Sequence, residues 1–226
     1  MAQIVRTGGT KRVVRRTINA ATAAEAVGPI TRGCEIYGLS KGQFSLIELV
    51  EHCLAATGPA DLVVSTWTAA GADLAHTASF LADGRVRSCR WLVDFSFPSR
   101  QPAYCAQLAE RFGVDAVRLT ANHAKFVTVR NDTWDITVRT SMNLNLNRRL
   151  ESYEVSECAE LAGWLGEIVD DAWSNASRLG DAPTVAQMTV DQIAGRVERR
   201  PPLIADTTTA AGLRFGGGQH SGVSHD

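Results

Sequence analysis

The stretch "HAKFVTVRNDTWDITVRTSMNLN", residues 123–145, holds two apolar runs separated by the polar turn "RNDT". Val127 and Val129 in the first run, and Ile136 and Val138 in the second, alternate with their neighbours as strands on a core do. The stretch therefore predicts two adjacent strands closing as an antiparallel hairpin. Its ends are unusual for a sheet. His123 and Lys125 open the first run, and Ser141 and Asn143 follow the second. An antiparallel hairpin sets those two ends side by side.

Residues two apart on a strand face the same side, so His123 and Lys125 are expected to point together. Burying an unpaired ammonium is costly, so the pair marks either an exposed strand end or a site that uses the charge. Ser141 and Asn143 share parity as well, and two compatible roles are open to them, capping a helix and offering donors to an anion. The segment "NLNRRLESYEV" then carries Glu151 and Glu154 into the next strand. A phosphodiester is anionic and resists attack. Its cleavage needs a nucleophile active near neutral pH, such as imidazole, and fixed donors or positive charge on the phosphate oxygens. Lysine supplies a compact charge, and a carboxylate behind an imidazole fixes its tautomer.

Outward from the hairpin, strands and helices alternate. "CEIYGLS" from Cys34 is a strand, "FSLIELVEHCLAAT" a helix stopped by Gly58-Pro59, and "DLVVSTWT" a buried strand. "GADLAHTASFLAD" and "PAYCAQLAERFG" are helices around the strand "VRSCRWLVDFSF". "AVRLTANHAKFVTV" is expected as one continuous strand leading into the hairpin. After it come the strand "ESYEVSE" and the helix "CAELAGWLGEIVDDAW". Alternation that turns into adjacent strands implies an α/β sandwich with a mixed sheet flanked by helices, one copy of each element. The tryptophans Trp67, Trp91, Trp134, Trp164 and Trp173 are expected in the core.

The ends differ in character. Residues 1–32 are expected as a basic arm, with Arg6, Lys11, Arg12, Arg15 and Arg16 and no acid in the first sixteen positions. A solvated terminus and a phosphate-binding arm are both open for it. Residues 33–174 form the expected main domain, and 175–204 a helical extension. In that extension Thr189 and Gln192 make a capping box before Pro201-Pro202; a helix-turn-helix over 183–197 is a further option. Residues 205–226 are expected as a flexible Gly/Ser-rich tail.

The chain has 226 residues, 45% hydrophobic and 21% charged, enough to bury a core. Its formal net charge of -1 excludes a globally basic nucleic-acid binder, so any basic surface is local. Of the 23 lysines and arginines only three are lysines, Lys11, Lys41 and Lys125. Five scattered cysteines without a C-x-x-C pair argue against a disulfide framework or a zinc site and suit a reducing cytoplasm. No secretory signal and no membrane-spanning apolar run is visible. The expectation is a soluble, cytoplasmic protein.

His123-Ala124-Lys125, Thr140-Ser141-Met142-Asn143 and Glu154, eleven positions after the Asn, together resemble the H-x-K … G-S-x-N signature of the phospholipase D-like superfamily. The resemblance covers residues 34–173. It implies a phospholipase D-like α/β sandwich and a metal-independent phosphodiesterase with no cofactor. His123 would be the nucleophile that becomes a phosphohistidine, Lys125 and Asn143 would hold the phosphate oxygens, and Ser141 would support them. Glu154 would hydrogen-bond the imidazole. Two positions depart from the pattern. Arg130 stands where the family has an aspartate, and Thr140 where it has a glycine, which would narrow the phosphate pocket.

The chemistry also wants a second histidine to protonate the leaving oxygen. His52 and His76 lie in helix patterns, His220 and His225 in the tail, and none forms a second H-x-K. A homodimer that joins two motifs across a two-fold axis is therefore expected, as the family's single-motif nucleases are built. Arg139, Arg148 and Arg149 surround the motif in sequence and are candidate contacts to a DNA or RNA backbone, or simply solvated strand ends. The alternatives are a non-catalytic nucleic-acid-binding or scaffold protein that kept the pocket, and a phospholipid phosphodiesterase.

Overall fold

A computed structural model describes residues 11–16, 20–145 and 148–179. The expected capping box at Thr189, the option over 183–197 and the Gly-rich tail lie outside the described residues. In chain order the elements are β1 (Lys11–Arg16), α1 (Ala23–Val27), β2 (Cys34–Ser40), α2 (Leu46–Thr57), β3 (Ala60–Thr66), α3 (Gly71–Ala82), β4 (Val86–Asp94), α4 (Phe97–Arg100), α5 (Pro102–Phe112), β5 (Val117–Thr120), β6 (Phe126–Arg130), β7 (Asp135–Thr140), β8 (Glu151–Glu157), α6 (Ala159–Asn175) and β9 (Ser177–Arg178). The described strands form a single sheet in the order β1-β2-β8-β7-β6-β3-β4-β5-β9.

The sheet is mixed, as the pattern of elements predicts. β3, β4 and β5 are parallel neighbours joined through helices, while β6, β7 and β8 pair antiparallel and separate β2 from β3. Strand alternation splits the core into two layers. Leu62 and Val64 of β3 join a large cluster with α1, α2, α3 and α5, including Leu49, Phe80 and Leu108. Val63 between them faces the other side, where Phe126 of β6 meets Leu161, Leu165 and Val169 of α6. Helix α2 begins where a capping box forms, with Ser45 accepting from the Glu48 N–H and Glu48 accepting from the Ser45 N–H at 2.6 Å. Gly58, at φ 71°, ends it.

Three expectations are corrected. Within residues 1–32, Lys11–Arg16 pair in parallel with β2 as an edge strand, and Ala23–Val27 is helical. The expected strand "AVRLTANHAKFVTV" is broken, because β5 pairs with β4 and β9 whereas β6 pairs with β3 and β7. The chain must therefore cross the ends of β4 and β3 between them. His123 and Lys125 lie in that crossover, not on a strand. Trp91 is fully buried as expected, but Trp67 is only partly buried and sits at the sheet edge beside His123.

The five cysteines are free, and burial pushes the Cys53 and Cys89 thiols far above their ordinary value. No described helix is long and apolar enough to cross a membrane. The close approach of β2 to β8 depends on Gly38: a Cβ there would stand 2.2 Å from the Tyr153 ring. Tyr153 cannot easily yield, being 1% exposed, packed edge-on against Phe44 and hydrogen-bonded to the Ala26 carbonyl. Gly38→Ala is expected to cost about 1–3 kcal/mol of stability in urea unfolding, and Tyr153→Leu in the same chain to recover part of it. Equal stability of wild type and Gly38→Ala would contradict this packing.

Candidate active site

The carboxyl ends of β2, β3, β4, β5 and β7 and the amino ends of β6 and β8 share one edge of the sheet. In open sheets with parallel strands this is where ligands bind, since loops there surround a crevice. The crossover Ala121–Lys125 spans that edge. It is held by Asn122, which is 7% exposed. The Asn122 side-chain amide donates to Leu92 O of β4 at 3.0 Å and to Ser65 Oγ of β3 at 3.0 Å. Its Oδ1 accepts from the Ala124 N–H at 3.0 Å, and its own N–H donates to Asp94 at 3.1 Å. Ser65 Oγ in turn donates to Ala124 O. One buried side chain thus ties β3 and β4 to the segment that carries His123 and Lys125.

His123 is exposed, and Lys125 folds back over it. Lys125 Nζ lies 3.0 Å from His123 Nδ1 and 3.2 Å from Nε2, and donates to His123 O at 2.8 Å. The two therefore point together as expected, through a loop turn instead of strand parity. Partial burial holds the Lys125 ammonium below the ordinary lysine value, and the charge of Glu151 opposes that shift.

The second half of the motif arrives by two backbone bridges. Thr140 N–H donates to Lys125 O at 3.1 Å, which places Ser141 just beyond the first half. Leu144, fully buried, then pairs with the loop after β3, accepting from the Ala70 N–H at 2.6 Å and donating to Thr68 O at 3.2 Å. Asn143 is thereby carried toward the loop that presents Trp67, whose ring centroid is 5.7 Å from that of His123. The Asn143 Oδ1 is buried and has no hydrogen-bond partner among the described residues. The structure thus brings His123, Lys125, Ser141 and Asn143 to one edge, as the hairpin argument predicts.

Glu154 is elsewhere. Its carboxylate takes a short charge-assisted hydrogen bond from Arg139 and a 3.3 Å bond from Ser156 Oγ, on the sheet face covered by α6. No described carboxylate of the same chain bonds His123. The acid that reaches the motif is Glu151, whose Oε2 accepts a short hydrogen bond from Ser141 Oγ. Ser141 Oγ also accepts from the Ser152 N–H at 3.0 Å. Arg139 is engaged by Glu154, while Arg148 and Arg149 are exposed.

Both departures from the motif have a local account. Thr140 Oγ1 donates to Ser152 O at 2.7 Å and accepts from the Met142 N–H at 3.0 Å, so its hydroxyl holds the turn instead of entering a pocket. Arg130 pairs with Asp135 at 2.7 Å at the far end of the hairpin, roughly 16 Å of strand from Lys125. A cleft of about 480 Å³ opens at that far end, lined by Arg87, Arg90, Arg130 and Asp61. Its arginines are matched by Asp61, Asp170 and Asp135, which leaves no uncompensated cluster for an anion. Among the described residues no group of three His, Cys, Asp or Glu side chains is placed to hold a metal ion.

No protein-family model matches the chain, and no curated protein matches it. Solved structures do. A phospholipase D family member, Nuc from Salmonella typhimurium, is similar over 64% of this chain and 96% of its own, at 16% identity and a TM-score of 0.47. NucT from Helicobacter pylori is similar over 64% and 99%, at 12% identity and 0.47. A phosphatidylserine synthase from Haemophilus influenzae Rd KW20 is similar over 71% of this chain and 45% of its own, at 17% identity and 0.42.

The Asn122 bonds are open to direct measurement. Asn122→Ala removes the side-chain partner of Leu92 O, Ser65 Oγ and the Ala124 N–H, and is expected to cost about 1–3 kcal/mol in urea unfolding. A change near zero would show that the crossover is not held by this side chain.

Proposed function

We propose that this protein is a metal-independent phosphodiesterase that acts as a nuclease on DNA or RNA, with His123 as nucleophile. The observation that carries the proposal is the contact of Lys125 with His123 beside the Ser141–Asn143 turn. It sets an imidazole, an ammonium and the Asn143 side chain at one edge of the sheet. An imidazole nitrogen of His123 would bond to phosphorus as the bond to the leaving oxygen breaks. That oxygen takes a proton from a second imidazolium, water then attacks phosphorus and passes its proton to the same imidazole, and the N–P bond breaks. Lys125 and Asn143 would stabilise the charge that develops on the phosphate oxygens.

His52 Nε2 donates to Gly28 O at 2.8 Å, and His76 lies beside Glu51, so neither serves as the second imidazole. We assign that role to His123 of a second copy in a homodimer with the two edges facing each other. Because Glu154 is held by Arg139 within the chain, the partner for the imidazole also has to come from this assembly. Arg148 and Arg149, exposed beside the motif, are the proposed backbone contacts.

His123→Ala is expected to lower cleavage of DNA or RNA oligonucleotides by on the order of 10⁴-fold or more, while excess EDTA leaves the wild type unchanged. Activity that EDTA abolishes, or that survives in His123→Ala, contradicts the mechanism. Light scattering should give the mass of two chains; an active monomer contradicts the shared site.

The pH profile tests Glu151. Lys125 must be charged to work, and its lowered pKa places the alkaline limb of kcat/KM below the ordinary lysine value. The carboxylate of Glu151 favours the ammonium. Glu151→Gln removes that help, so the limb should move to still lower pH. An unmoved limb would show that Glu151 does not act on Lys125.

A further inference from the structure

Beside the nucleophile stands a pair that the phosphodiesterase motif does not include. The Arg100 guanidinium carbon lies 3.7 Å from the centroid of the Trp67 ring, close enough for a cation–π stack. The same Trp67 ring is 5.7 Å from the His123 ring. Arg100 is fixed from below: its Nε donates to Ser96 Oγ at 2.8 Å and its Nη2 to Trp67 O at 2.9 Å. Asp94 lies at 3.9 Å, but its carboxylate already accepts from the Ser96 and Asn122 N–H groups. A guanidinium has five N–H donors, and three of these have no hydrogen-bond partner among the described residues. The Arg100 side chain is 29% exposed and Trp67 is partly exposed. Loop residue Phe95, 43% exposed, stands at the same edge.

We infer that Trp67 and Arg100 form a nucleotide subsite beside the cleavage position, which takes an unpaired base against the indole and the flanking phosphate on the guanidinium. The inference rests on the reading of His123 as the attacking group and narrows the substrate to single-stranded nucleic acid. A planar cation already stacked on a ring is pre-ordered, so little freedom is lost when it meets a phosphate. An indole one ring away from the nucleophile suits a substrate that brings a flat π surface next to the scissile phosphate. A phospholipid brings the phosphate without that surface. A duplex keeps its bases stacked inside, whereas a single strand can turn one out onto an aromatic side chain.

The test is binding to fluorescent oligomers by anisotropy, with His123→Asn as the common background so that nothing is cleaved. The probes are a short oligothymidylate, an abasic oligomer of equal length and charge, and a duplex. Trp67→Leu should weaken oligothymidylate binding about tenfold and the abasic oligomer far less, because Arg100 keeps its bonds to Ser96 Oγ and the residue 67 carbonyl, and should leave the duplex unchanged. Trp67→Phe should restore most of the loss. Arg100→Gln should weaken oligothymidylate and abasic oligomer alike, and reduce the salt dependence of log Kd by about one phosphate contact. The subsite is overturned if Trp67→Leu weakens both single-stranded oligomers equally, if it weakens neither, or if the background chain binds neither. The cleavage mechanism fails separately, if the wild type and His123→Ala cut at the same rate.

Discussion

The arrangement at the sheet edge depends on the hydrogen bonds of Asn122. Parallel strands β3 to β5 run out from the middle of the sheet, and the chain has to return over them to start the antiparallel half at β6. A return over strand ends leaves backbone groups that the sheet cannot satisfy, and burying them unpaired is costly. The Asn122 amide resolves this with a donor to β4, another to β3 and an acceptor for Ala124. Because the amide is buried and fully used, the two residues that follow it have little choice of position. His123 and Lys125 therefore stand on a braced loop whose geometry is set from the core.

Charge at the edge is distributed unevenly. Arg139 and Glu154 neutralise each other on the α6 face, and the arginines of the far cleft are each matched by an aspartate. At the motif, the acid that favours the Lys125 ammonium among the described residues is Glu151, which is itself bonded to Ser141. Arg100 is anchored to an indole and backbone, with a carboxylate no nearer than 3.9 Å. The sheet edge thus keeps positive charge available for an anion although the chain carries a formal charge of -1.

Much of this was legible in the residues, for identifiable reasons. The bounds of β2 and β8 follow from their apolar alternation, and Gly58 and Gly113 mark helix ends by their chemistry. The pairing of β6 with β7 follows from two runs around a polar turn, and with it the meeting of His123–Lys125 with Ser141–Asn143. What escaped is set by tertiary topology. "AVRLTANHAKFVTV" has the composition of one strand; only the sheet order reveals that β3 and β4 lie between its halves. Asn122 in that run looks like a poor strand residue, and the signal was there in an amide between two apolar segments. Trp67 resembles a core tryptophan until the β3–α3 loop is seen to end at the motif. Glu151 and Glu154 differ by three positions on one strand and so face opposite sides; the residues alone left both open, and the family resemblance implied the one that the structure pairs with Arg139.

The most direct test of the account is the covalent step. Wild-type chain mixed with excess oligonucleotide, quenched in alkali during turnover and digested, should yield a peptide carrying a nucleotide phosphate on His123 by mass spectrometry. That adduct should be lost on mild acid treatment, as an N–P bond requires. Steady turnover with no adduct, or an adduct on any other residue, would contradict His123 as the nucleophile.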